Sequence, residues 1–305
     1  MGGGVWFVPT ERALHQVSAG HIGPLVFFAA PAAQWVQRPT VCAVRSFEAL
    51  QCRYLDDVLE VVIDHPRSEL NAVDDLLHSE LTGLFADLRE ERTARAVLLT
   101  GRGRAFSAGG DFNWFPELRE TARLEHLRHD ARHLISDLLD VELPIVAAVN
   151  GPAVGLGASI ALLCDVIFMG ASATIADPHV RVGLVAGDGG TVIWPLAVGP
   201  ARAKQYLLTG DALRAEEAER IGLVNAVVPD DELYDTALAF ARRLAAGPPL
   251  AVRYTKLAVN KLLKDALNTT FDAATALELV TFKSDDHAEA LAALRDKRTP
   301  KFEGR

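Results

Sequence analysis

From Gln51 onward the apolar positions of the chain recur with two periods. Gln51 to Leu55 and Val58 to Ile63 are short, mostly apolar runs on either side of Asp56-Asp57, which predicts a β-hairpin turning at that pair. Asn71 to Arg89 sets Val73, Leu76, Leu77, Leu81, Leu84 and Leu88 on one broad face and predicts a helix. Ala94 to Thr100 and Ile145 to Val149 read as buried strands, each followed by a glycine-rich loop, and Asp165 to Met169 reads as a third. Glu120 to Leu139 is an amphipathic helix. Strands alternating with helices predict an α/β core with a largely parallel sheet over 51–190. After Gly187 the pattern changes. Thr191–Val198, Ala201–Leu208, Ala215–Ile221, Glu232–Ala246, Leu250–Leu267 and Phe271–Arg295 read as helices, interrupted only by a strand over Leu223–Val228. Residues 191–305 are therefore expected to form a helical annex for oligomerisation or as a lid. Residues 1–50 hold three consecutive glycines, scattered prolines and no period, as expected of a poorly ordered extension.

Composition narrows the classes. The chain has 305 residues, half of them hydrophobic, so it can bury a sizeable core without staples. Its net charge is −9 and it has no basic run, which argues against a nucleic-acid partner. Cys42, Cys52 and Cys164 have no C-x-x-C spacing, which fits a cytoplasmic protein without a disulfide framework or zinc site. No stretch is long and apolar enough for a membrane span, and the apolar run Pro24–Ala33 lacks the charged start of a signal peptide, since Met1–Thr10 has no Lys or Arg.

The candidate chemistry lies in the two glycine loops. The first runs Gly101-Arg102-Gly103-Arg104-Ala105-Phe106-Ser107-Ala108-Gly109-Gly110-Asp111; the second runs Asn150-Gly151-Pro152-Ala153-Val154-Gly155-Leu156-Gly157. Glycine lets backbone approach a ligand closely, and N–H groups at a helix start favour negative charge. Two such loops at strand ends can aim two amides at one oxygen, an oxyanion hole. Neither loop has P-loop or dinucleotide spacing.

Ala105 to Asp111, and Asn150 to Gly157 ending in Leu163-Cys164-Asp165, resemble the two oxyanion-loop motifs of the crotonase (enoyl-CoA hydratase/isomerase) superfamily. Leu143–Val149, Gly189-Gly190-Thr191, Ala215–Ala218 with Gly222-Leu223-Val224, and the tail Arg295–Phe302 extend the resemblance over about 52–303. The resemblance implies a crotonase-like spiral of ββα units with a C-terminal helical annex. It implies the N–H groups of Ala108 and Leu156 as oxyanion donors, with Gly110 and Gly155 beside them. It also implies an acyl-CoA substrate and homotrimers or dimers of trimers. Coenzyme A enters as part of the substrate; no separate cofactor or metal is expected.

The sequence departs from the family where acid–base chemistry would occur. The two positions that carry glutamates in the hydratases are Ser159 and His179 here. His179, followed nine residues later by Asp188, offers a general base held by a carboxylate; a surface loop and a helix cap would account for the same two residues. The arrangement resembles β-diketone hydrolases of the 6-oxocamphor hydrolase type, which cleave a carbon–carbon bond without CoA; their second-loop histidine is Leu156 here. His78 and Glu278 would line the pocket as in those hydrolases, although a solvent-facing helical flank suits each. Trp114 reads as a pocket wall or core residue. His126, His129 and His133 read as a solvated helix face, without a third metal ligand. Three functions follow: an acyl-CoA hydratase or isomerase with altered acid–base residues, a β-diketone C–C hydrolase, or a non-catalytic acyl-CoA-binding protein.

Overall fold

The computed structural model describes residues 44–305. Most of the expected N-terminal extension lies outside them, but Val44, Ala49 and Leu50 are buried. The Glu80 carboxylate accepts from the N–H groups of Glu48 and Ala49, both at 2.7 Å. The core thus begins several residues before the expected boundary at 50.

The hairpin is present, as β1 (Leu50–Leu55) and β2 (Val58–Ile63), and Asp56 takes the left-handed conformation at φ 57°. Helix α1 covers Asp75–Glu90 rather than starting at Asn71. Asn71 has φ 51° and its side chain donates to the carbonyls of Arg102, Ala105 and Phe106, so it braces the first glycine loop. Asp74 caps the helix by accepting from the Leu77 N–H at 3.1 Å. Strand β3 (Ala96–Gly101), α2 (Thr121–Asp140) and β4 (Ile145–Val149) follow. Next come β5 (Ala153–Val154), α3 (Leu156–Leu163), β6 (Val166–Gly170) and β7 (Thr174–Ala176). The annex holds α4 (Gly190–Thr209), β8 (Leu213–Arg214), α5 (Ala215–Arg220), β9 (Ala226–Val228), α6 (Leu233–Ala245), α7 (Pro249–Phe282) and α8 (Asp285–Arg295).

The main sheet has the order β1-β2-β3-β4-β6-β9, parallel apart from the hairpin. Leu77, Leu81, Leu84 and Leu88 of α1 pack with Leu134, Ile135 and Leu138 of α2 over one face. Truncating any one of these leucines should cost about 2–5 kcal/mol. Helix α6 covers the other face through Leu233, Ala237 and Ala241. Because β9 and α6 complete this sheet, the segment after 190 is not a separate layer. A second sheet, β5-β7-β8, was not expected from the sequence; its strands have two or three residues, too short to show a period. The expected break between Leu267 and Phe271 is also absent. Helix α7 continues to Phe282, and Ser284 starts α8 by accepting from the His287 N–H. In α4, the two expected helices are joined at Gly199, which is non-helical at φ 80°.

Candidate active site

The two glycine loops are stitched to each other. The Ser107 N–H donates to Pro152 O at 3.1 Å, and the Val154 N–H donates to Ser107 O at 2.9 Å. At Gly157 a Cβ would stand 2.7 Å from the Ser107 Cβ, so only glycine lets the loops dock. Gly155, at φ 53°, turns the chain into α3 and leaves the Leu156 N–H at the first helical position. No described residue accepts from that N–H.

The first expected donor requires correction. The Ala108 N–H is spent on the Leu70 carbonyl at 2.9 Å, and Ala108 lines a neighbouring cavity. Gly110, two residues on, has an N–H that no described residue accepts, and with Leu156 it lines a cavity. Two residues apart in a regular extended segment, these two N–H groups would face the same way; the positive φ of 79° at Gly109 breaks the run between them, which the motif does not reveal.

The same cavity receives His179, Asp188 and Glu278. His179 begins a 3-10 turn after β7, and Asp188 ends the loop that leads into α4. Glu278 comes from α7 and is buried, not on a solvent-facing flank. The His179 Nε2 lies 3.5 Å from an Asp188 oxygen and 3.7 Å from a Glu278 oxygen. Its Nδ1 meets an oxygen of Asp177 at 2.5 Å. The residue that orients the ring is therefore Asp177, which the sequence reading did not single out; Asp188 faces the other nitrogen. The available signal was Asp177-Pro178-His179, a carboxylate two residues before the histidine across a turn-forming proline. Gly190 makes room for Asp177, whose second oxygen would collide with any Cβ there. Ser159 does not line the cavity. It is fully buried behind Asp188 and donates its hydroxyl to that carboxylate at 3.2 Å.

Burial and charge oppose each other in this cluster. Burial disfavours the His179 imidazolium, but the carboxylates of Asp188 and Asp177 outweigh it and hold its pKa well above the ordinary value, and Glu278 adds to this once it is ionised. This environment favours the charged ring over the neutral base that the sequence suggested. Burial raises the Asp188 pKa, with His179 pulling it down and Asp177 pushing it up. Burial likewise pushes Glu278 up to about 8, against the pull of His179. Ligand atoms of Asp177, His179 and Asp188 lie within 4.8 Å of one another, close enough to hold a cation, but the bond from Nδ1 to Asp177 already occupies one side of the ring.

His78 and Trp114 form the opposite wall. His78 is 5% exposed, so its expected solvent-facing position gives way to a buried one, and burial lowers its pKa to about 4. His126, His129 and His133 are exposed on α2, as expected.

A model of the enoyl-CoA hydratase/isomerase family matches residues 55–305. A probable mitochondrial enoyl-CoA hydratase of Dictyostelium discoideum is 34% identical over 240 residues, covering 79% of this chain and 85% of that protein. A crystal structure of an enoyl-CoA hydratase/isomerase from Mycobacterium paratuberculosis superposes with a TM-score of 0.77 at 38% identity, covering 80% of this chain and 98% of the other. A β-diketone hydrolase from the cyanobacterium Anabaena, bound to (S)-3-oxocyclohexyl acetic acid, gives 0.74 at 32% identity, covering 81% and 98%. Matched over most of its length by family and fold, the chain belongs to the enoyl-CoA hydratase/isomerase, or crotonase, family.

Proposed function

We propose that this crotonase-family protein is a hydrolase that cleaves the carbon–carbon bond between the two carbonyls of a small β-diketone. The observation that carries this is the buried cluster of His179, Asp177, Asp188 and Glu278 facing the free N–H groups of Gly110 and Leu156. Water adds to one carbonyl carbon and gives its proton to Asp188, whose raised pKa makes it a better acceptor. The charged His179 ring, fixed by Asp177, stabilises the negative charge of the adduct. The bond to the carbon between the carbonyls then breaks. Its electron pair forms an enolate, whose oxygen the Gly110 and Leu156 N–H groups hold. Glu278, protonated at neutral pH, returns a proton to carbon. The proton that Asp188 took from water passes to Glu278 and restores the site, so that one water is consumed and a keto acid forms.

Charge on the surface also supports a CoA-free substrate. Arg67, Arg102 and Arg104 line one cavity, yet each is paired with a carboxylate: Asp74 at 3.0 Å, Asp64 at 2.9 Å and Glu69 at 3.5 Å. At that cavity, each arginine therefore already has an acidic partner. The competing function, an acyl-CoA hydratase or isomerase, is favoured by the names of relatives such as the Dictyostelium hydratase.

The deciding experiment offers the protein 2,2-dimethylcyclohexane-1,3-dione in one arm and CoA and butenoyl-CoA in the other. Cleavage of the dione, with a loss of about 10²–10⁴-fold in Asp188→Asn, is expected. Micromolar binding of both CoA compounds with no dione cleavage would overturn it.

A further inference from the structure

A β-diketone presents two oxygens, and the Gly110–Leu156 pair accounts for one. The wall across the cavity carries two polar groups that no protein partner uses. The Trp114 indole N–H is buried without a hydrogen-bond partner. The His78 ring makes no hydrogen bond to another described residue, and its centroid lies 6.1 Å from that of Trp114. Both residues line the catalytic cavity and a neighbouring one. A buried donor without a partner is costly in a folded chain and rare unless a ligand completes it. Around them the wall is apolar, formed by Leu118, Leu127 and Phe115. Asp75, Arg123 and Asp130 line only the neighbouring cavity, on the far side of this wall; on the catalytic side the residues around Trp114 and His78 carry no charge, and burial lowers the His78 pKa to about 4.

We infer that Trp114 and His78 form a second recognition point, in which the indole N–H donates to the carbonyl oxygen that does not enter the Gly110–Leu156 pair. Substrates would then be compact, uncharged dicarbonyl compounds on an alicyclic or branched frame, matched to an apolar wall with one donor in it. The inference rests on the hydrolase function proposed above but concerns binding, so the two can fail separately.

The test measures binding in Asp188→Asn, where the probe is not consumed. Calorimetric titration with 2,2-dimethylcyclohexane-1,3-dione and with 2,2-dimethylcyclohexanone gives the preference for the second oxygen. A preference of about five- to tenfold is expected, the size of one hydrogen bond. Adding Trp114→Phe, which removes the N–H and keeps an aromatic ring, should bring the ratio of the two affinities to about one, whatever it does to both in common. If Trp114→Phe loses its fold by thermal melting, His78→Leu on the same wall takes its place and should reduce the preference. A preference that survives either folded variant overturns the inference, as does failure of both probes to bind. If the preference behaves as expected but the wild type never cleaves the dione, the recognition point stands and the hydrolase function falls.

Discussion

At the scale of single residues, the site is a set of proton levels fixed by burial and by neighbours. Asp177 has one oxygen on the His179 Nδ1 and is almost completely buried. Asp177→Asn should remove an attraction that holds the imidazolium, so the His179 pKa, followed by NMR, should fall. Turnover should drop about ten- to a hundredfold, as for loss of a group that orients a ligand. Glu278 gives a second prediction. Its folded carboxyl keeps its proton up to about 8, against 4.5 when unperturbed. It must be protonated to return a proton to carbon, so kcat should fall as pH rises through about 8, and Glu278→Gln should abolish that limb along with most activity. Stability follows with the same sign. Both Glu278 and His179 bind protons more tightly when folded, so each adds stability that is complete below the unfolded values of 4.5 and 6.5. That stability is lost as pH rises through the folded values. The melting temperature should therefore decline between about pH 6.5 and 8, above the range where the lowered pKa of buried His78 adds stability with rising pH, and Glu278→Gln should flatten the decline. A wild-type melting temperature that rises across this window would contradict the charge assignment.

At the scale of elements, the decisive feature is the start of α3. Leu156 occupies the first helical position, where an N–H has no intrahelical acceptor and proline is well tolerated. Leu156→Pro should therefore fold while deleting one of the two proposed oxyanion donors. A loss of about 10²–10³-fold in kcat is expected, whereas Leu156→Ala, which keeps the N–H, should lose far less. Equal activity in the two variants would remove Leu156 from the oxyanion hole. The partner donor shows what element-level patterns convey. The glycine-rich loop after β3 was legible, but Ala108 looked as suitable as Gly110. Only the approach of Leu70 to one N–H, at 2.9 Å, distinguishes them.

At the scale of the whole molecule, large apolar side chains remain in solvent along the annex. Leu208 is 70% exposed, Leu262 69% and Val280 67%. Burying such side chains against other copies of the chain would remove apolar area from water. Together with the family resemblance, it leads to the expectation that the protein is a trimer or a dimer of trimers. Light scattering at micromolar concentration should give at least the mass of three chains; a monomer would refute this.

The sequence by itself determined the α/β class, the order of the long elements, the two glycine loops and the family. These are written in local periodicity and contiguous motifs, in which each residue's neighbours along the chain are also its neighbours in space. His179 and Asp188 were legible because one loop carries both, although as a base and its orienting partner. Tertiary structure decided the rest. It brought Glu278 from α7 and His78 from α1 to one cavity, moved the orienting role to Asp177 and placed Ser159 behind Asp188. It also set the proton levels. Those depend on how far each group lies from water and from other charges, and for residues about a hundred positions apart along the chain such distances exist only after folding.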